Sequence, residues 1–221
     1  MTPLGNRILK VNHAGEHGAV NIYAAQIWVA NWLRPSLVEQ LQEFKAHEEN
    51  HRRIFAEVLQ QRNVGRCASY HLCGVGGYFL GAVSVVLGQA AVFATTVAVE
   101  HVVLMHLREQ IHTLSNDPQG NDPQAIAAIA QIVADEQHHH DQSLLQLNAT
   151  SQGKMIAPLM AMVRWSTESV IWLGNRLSPV LDFLLHNTLH FSINMITECF
   201  LNFASVEQLH SVHLQKVISQ A

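Results

Sequence analysis

Two glutamate–histidine pairs with a three-residue step, Glu48 with His51 and Glu136 with His139, are the residues of this chain best suited to gripping a metal. Residues three apart on a helix share a face, so each pair offers a carboxylate and an imidazole to one ion. Two more acids complete a pattern. Glu16 lies within Asn12-His-Ala-Gly-Glu-His-Gly18, and Glu100 is the first acid after a long uncharged run, so the order is Glu, Glu-x-x-His, Glu, Glu-x-x-His. Four helices that each point such ligands inward hold a pair of metal ions. Four carboxylates cancel the charge of two divalent ions, which a buried site requires. Hard oxygen ligands with one imidazole per ion favour iron or manganese over zinc or calcium. Iron held in this way takes two electrons, binds dioxygen and attacks an inert C–H bond. Glu100, with no acid beside it at position 101, is the expected bridge between the ions.

The elements that must carry these ligands are legible from periodicity. A first helix is expected over about Asn6–Trp32, ending at Arg34-Pro-Ser36, and a second over about Ser36–Arg62. In the second, Glu48 and His51 fall in the apolar stripe with Leu37, Leu41, Phe44, Phe55 and Leu59 rather than on the charged face. An ionised Glu buried there costs several kcal/mol unless a cation meets it. His47, one turn earlier, competes for the same ligand role. Residues 67–99 carry no charge and are long enough to span a bilayer. Glu100, His106 and Glu109 follow without a break, so a crossover leading into a buried helix over about Phe79–Leu114 is preferred. A double turn at Asn116-Asp-Pro-Gln-Gly-Asn-Asp-Pro123 precedes a last bundle helix, about Pro123–Asn148. Its His138, His139 and His140 point about 100° apart. The step from Glu136 selects His139, leaves His138 exposed, and leaves His140 or Asp141 to orient a ligand ring. The expected fold is all-α, a ferritin-like four-helix bundle over 7–150. Apolar helices over 154–221 complete a single domain, 1–221.

Composition narrows the classes of function. With a net charge of −4 there is no basic field, and nucleic acid is not an expected partner. Charged residues are only 14% of the chain, against roughly 25% in ordinary soluble domains. The shortage is concentrated in 67–99 and 155–219, which points to a membrane or an apolar partner. Trp165 and Trp172, seven apart and so on one face, suit a headgroup belt, and the segment Leu181–Phe203 is a second candidate for a surface lying flat in the membrane. Cys67, Cys73 and Cys199 are odd in number and widely spaced, as in a reducing compartment, and are read as small buried hydrophobes. The N-terminal residues lack the apolar core of a signal peptide.

The stretches Val11-Asn-His-Ala-Gly-Glu-His-Gly-Ala-Val20, Ile22-Tyr-Ala-Ala-Gln26, Thr96-Val-Ala-Val-Glu100, Gln110-Ile-His-Thr-Leu114 and Asp135-Glu-Gln-His-His-His-Asp141 resemble the demethoxyubiquinone hydroxylase family over roughly residues 7–177. The resemblance implies a di-iron monooxygenase that hydroxylates the ring of a ubiquinone precursor with dioxygen at a membrane surface. It implies Glu16, Glu48, His51, Glu100, Glu136 and His139 as the ligands of two irons, and His106 as a histidine near the quinone. It further implies a polyprenylated quinone as substrate, an external reductant such as NADH, and peripheral attachment at the cytoplasmic face of the inner or cell membrane. A homo-oligomer or a quinone-biosynthesis partner protein is also expected. Three positions depart from the family pattern. Leu107 stands where a tyrosine is usual, His17 where a tyrosine follows the first ligand, and His101 where an acid follows Glu100. Competing expectations are a ferritin-like iron store, which calls for an acidic cavity and a polar exterior, and an inactive membrane-bound quinone-binding assembly factor.

Overall fold

The order of elements follows the capping and turn chemistry closely. A computed structural model describes residues 3–116, 121–150 and 156–176, all within a first compact unit, Met1–Ser178. The expectations placed on Leu181–Phe203, on Cys199 and on the rest of 177–221 lie outside the described residues. Helix α1 is Pro3–Leu33, and a 3-10 turn at Pro35–Leu37 leads into α2, Val38–Gln61. Then come α3, Tyr70–Leu87, α4, Gln89–Ser115, and α5, Pro123–Ala149. Helical residues 156–176 form α6. Helix α5 begins where the Asp-Pro signal placed it. Pro123 occupies its first turn, and the Asp122 carboxylate accepts the Ala125 N–H. The same carboxylate takes both ends of the Arg62 guanidinium, at 2.7 and 3.0 Å. This buried fork–fork pair ties the end of α2 to the start of α5.

Helices α1, α2, α4 and α5 make the bundle. Two apolar layers show how they run. One layer joins Ile22 and Tyr23 of α1, Leu41 and Phe44 of α2, Val92–Val99 of α4 and Leu147 of α5. The other joins Ile8 and Leu9, Phe55 and Leu59, Leu107 and Leu114, and Ala125–Ile132. Passing from one layer to the other, α2 and α4 run in one direction and α1 and α5 in the opposite one, as a long crossover between the second and third bundle helices demands.

That crossover differs from the expected one. The sequence reading extended one helix from about Phe79 to Leu114, but the chain breaks at Gly88, whose φ of 119° favours glycine. The Gly88 N–H caps α3 on the carbonyls of Ser84 and Val85. The crossover is therefore itself a helix, and Phe79 belongs to it, 71% exposed. Helix α4 is buried without interruption from Ala91 to Glu100, so the last part of the uncharged run lies in the core of the bundle. Helix α3 lies against α1 through glycine: a Cβ at Gly77 would collide with the Gly18 carbonyl oxygen, and one at Gly81 with that of Ile22.

Candidate metal centre

Each of the six proposed ligands sits mid-helix, in the polar layer between the two apolar ones. Glu16 comes from α1, Glu48 and His51 from α2, Glu100 from α4, and Glu136 and His139 from α5, and all six are buried. Their ligand atoms converge in two groups. Glu16, Glu48, His51 and Glu136 form one, and Glu48, Glu100, Glu136 and His139 the other, with the atoms of each within 4.8 Å of one another. Glu48 and Glu136 are common to both. Were two ions held here, the glutamates of the two Glu-x-x-His pairs would stand between them, in place of Glu100, which the sequence reading had put there. Glu100 and Glu16 each join a single group. Spacing along the chain gives the face a residue occupies but not which carboxylate ends between two others.

The chemistry of the donor set suits a pair of cations. His51 Nδ1 is 3.1 Å from Glu136 Oε1 and 3.6 Å from Glu48 Oε2. His139 Nδ1 is 3.2 Å from Glu48 Oε1 and 3.7 Å from Glu136 Oε2. These approaches lack hydrogen-bond alignment: Glu48 Oε1, His51 Nδ1, Glu136 Oε2 and His139 Nδ1 are all buried without a hydrogen-bond partner. Buried polar atoms do not stay unpaired without cost, and four of them around one locus, all metal-ligand types, fit metal ions.

The outward ring nitrogens are held differently. His51 Nε2 meets the half-exposed carboxylate of Asp135 at 3.1 Å, a contact that orients a ligand ring and raises its basicity. His139 Nε2 faces His47 Nδ1 at 3.0 Å, so with metal bound His47 would support His139 rather than take its place. The hydroxyl of Tyr23 donates to Glu100 Oε1 at 3.2 Å. Asp135, His47 and Tyr23 received no such role from sequence. Tyr23 had a signal, since it stands seven after Glu16 and so on the same helical face; the partner of Asp135 is 84 residues away. The orienting role left to His140 or Asp141 is also corrected, because these two pair with each other at 2.9 Å on the outside. His138 is exposed, as the helix phase required.

The protonation of the metal-free cluster follows from its burial. Burial alone would lower His51 and His139, but contact with Glu136 and Glu48 pushes them up, to about 12 and about 9. Burial, then the charges of Glu136 and Glu48, raises Glu16 well above the usual carboxylate range, and Glu100 shifts the same way, with Glu136 its next cause. Burial also opposes ionisation of Glu136, yet His139 and His51 hold it low. The raised groups bind protons in the folded state that the unfolded chain has released, so the contribution of the two histidines is full below a pH of about 6.5 and is lost as pH rises, through about 9 for His139, while that of Glu16 and Glu100 declines from the ordinary carboxylate range upward. Glu136 acts oppositely, but only as pH falls below the carboxylate range. Thermal unfolding in the presence of chelator is therefore expected to show a Tm that declines from pH 6.5 to 9, whereas protein loaded anaerobically with ferrous iron holds its Tm, its ligands being already deprotonated.

A cavity of about 370 Å³ leads to this cluster. It runs between α1, α3, α4 and α6, reaches Glu16, Glu48, Glu100 and Glu136, and is walled largely by apolar side chains, among them Ile22, Val99, Val103 and Leu107. His106 lines it and bonds through Nε2 to Glu168 Oε2 of α6 at 2.8 Å. Leu107, in place of the usual tyrosine, is buried and gives the wall an apolar surface. His101 is exposed and His17 stacks on Tyr70, so neither joins the ligand set.

Residues 4–174 match the family described as ubiquinone biosynthesis protein COQ7. The chain belongs to the COQ7 family. It is similar to the NADPH-dependent 3-demethoxyubiquinone 3-hydroxylase of Dictyostelium discoideum, with 32% identity over 77% of this chain and 76% of that one. The human protein of the same description is also 32% identical, over 80% of this chain and 76% of its own. The 3-demethoxyubiquinol 3-hydroxylase of Rhodospirillum rubrum is 30% identical over 77% of each. All six ligand candidates fall inside the stretch that matches the COQ7 family, and one chain supplies them all.

Proposed function

We propose that this COQ7-family chain is a dioxygen-dependent di-iron monooxygenase that hydroxylates the ring of a demethoxyubiquinone-type precursor in ubiquinone biosynthesis. The observation that carries the reading is the apolar cavity that ends on four buried carboxylates. When bound, two irons supply two-electron activation of dioxygen: a ring C–H, dioxygen, two electrons and two protons give C–OH and water. The chain's own residues do the rest. Glu16, Glu48, His51, Glu100, Glu136 and His139 hold the metal, with Asp135 and His47 fixing the two imidazoles from outside. The apolar walls admit a quinone ring and exclude water. When His106 donates Nε2–H to Glu168, its Nδ1 is the acceptor, available for a proton from a ring hydroxyl. Electrons come from an external reductant, a nicotinamide dinucleotide being the one named for the relatives.

The substrate path opens where a polyprenyl tail can stay in lipid. Leu72, Phe79 and Met162 line the cavity and are also exposed, and Trp165 and Trp172 are exposed on α6. Peripheral attachment through α3 and α6 would place this rim in the membrane interface. Those apolar surfaces also weigh against an iron store.

The test is a quinone-extract profile of a deletion strain, with hydroxylation reconstituted by the anaerobically iron-loaded protein. A precursor one ring oxygen short should accumulate; an unchanged profile, or iron-loaded protein inert towards that precursor, removes the reading. Within it, Glu168→Gln is expected to lower kcat roughly tenfold and move its pH profile while iron content stays the same. An unmoved profile would reduce the His106–Glu168 contact to packing.

A further inference from the structure

Where α1, α2, α3 and the connection between α2 and α3 meet, cationic and aromatic side chains come together, with no ion pair to an acid at Arg52 or Arg66 among the described residues. The His17 ring lies flat on Tyr70, with centroids 4.0 Å apart and planes within 2°. His13 packs on the same ring at 4.9 Å, and the Arg66 guanidinium carbon lies over it at 4.9 Å. His71 meets Tyr70 edge-on, and Arg52 Nη1 approaches His17 Nδ1 at 3.3 Å. The arrangement is built rather than incidental: Gly74 of α3 has no Cβ, and one there would fall 2.6 Å from His17 Nε2. Among the described residues Lys45, Arg53 and Arg62 find carboxylates, but Arg52 and Arg66 have none within 4.0 Å. His13 is buried with Nδ1 unpartnered. Burial, then the charges of Arg66 and Arg52, pushes it down to about 4.

We propose that Arg52 and Arg66, on the platform of Tyr70 and His17, bind a phosphate group. Two guanidiniums match a multiply charged tetrahedral oxyanion better than a lone carboxylate. Stacking on Tyr70 leaves the in-plane N–H groups of Arg66 free, and Arg52 uses one of its five donors on His17. One source is a lipid headgroup, because exposed Leu72, Val75 and Phe79 follow on α3 and would take the acyl chains. The other is a soluble phosphate compound such as a dinucleotide. No metal ligand is involved, so the proposal stands apart from the hydroxylase reading.

Full-length protein, Arg66→Gln and Arg52→Gln/Arg66→Gln would be floated with vesicles of phosphatidylcholine, with and without phosphatidylglycerol, and titrated calorimetrically with inorganic pyrophosphate and NADPH. A preference for phosphatidylglycerol that falls roughly tenfold in the double variant, without pyrophosphate binding, assigns the site to a headgroup. Saturable binding of pyrophosphate or NADPH that the variant loses, with flotation unchanged, assigns it to a soluble phosphate compound. Flotation and titration alike in all three proteins overturn the proposal. Arg66 is exposed, so its single variant keeps the test valid if the double variant misfolds. Hydroxylation of a short-chain quinone in detergent, driven by a chemical reductant in place of the dinucleotide, is expected to be the same in all three, separating failure here from failure of the enzymatic reading.

Discussion

Glu136→Ala, purified anaerobically with ferrous iron, is expected to hold almost no iron, against about two ions per chain in the unaltered protein. Glu136 and Glu48 stand in both ligand groups, whereas Glu16 and Glu100 stand in one each. Loss of Glu136 also strips His51 and His139 of a neighbour at 3.1 and 3.7 Å, leaving the inner nitrogens of both buried imidazoles with Glu48 as the remaining carboxylate common to them. Hydroxylation should fall to background. Glu48→Ala should behave alike, while Glu16→Ala and Glu100→Ala should each retain about one ion, since three residues of the depleted group and the whole of the other remain. His138→Ala, on the exposed face, should keep both. Metal analysis by mass spectrometry decides the matter: a Glu100→Ala protein stripped of both ions beside a Glu136→Ala protein that keeps them would return the bridge to Glu100.

How far the chain could be read in advance depends on how local each cause is. The Glu-x-x-His pairs were legible because three residues along one helix are a fixed geometry, and Pro123 because Asp122 caps the turn that follows it. Those features need no knowledge of the partner helices. The support of His51 by Asp135 and of His139 by His47 joins α2 to α5 and has no local signature. The break at Gly88 went unplaced for another reason, since a glycine permits close packing or a bend alike. Apolar residues continue on both sides of it, and only the backbone angle shows that the chain turns. Exposed Phe79 and buried Phe93 look alike in sequence, although one faces outward on α3 and the other lies in the core.

Gly81→Ala is expected to lower Tm by roughly 5–12 °C, corresponding to about 3 kcal/mol for a chain of this size. The added Cβ would meet the carbonyl oxygen of Ile22, an atom of the α1 backbone that cannot rotate aside. Either α3 lifts or α1 bends, and both helices wall the cavity, so KM for a long-chain quinone should rise as well. Gly76→Ala on the same helix is the contrast. Nothing lies within 4 Å of its added Cβ, and removing a helix-interior glycine stabilises by up to about 1 kcal/mol. Calorimetric scans of the two variants should move in opposite directions. A Gly81→Ala protein as stable as its parent would mean that α3 does not rest on α1 as closely as described.

The kink at Gly88 has a consequence for how the chain is made. Helices α3 and α4 both have the length and hydropathy of membrane spans, and with one residue between them they emerge from the ribosome as an apolar hairpin of the kind an insertion machinery accepts. Their fates differ through partners. In the most apolar 18 residues of each helix, 72% are buried in α4 and only 39% in α3. The α1–α2 pair, which shares both apolar layers with α4, is synthesised first, whereas α5, the helix α4 packs against most closely, follows it. Docking of α4 against α1, α2 and then α5 is therefore expected to compete with the bilayer for the newborn hairpin, and the docked outcome is the one that brings Glu100 to the bundle interior.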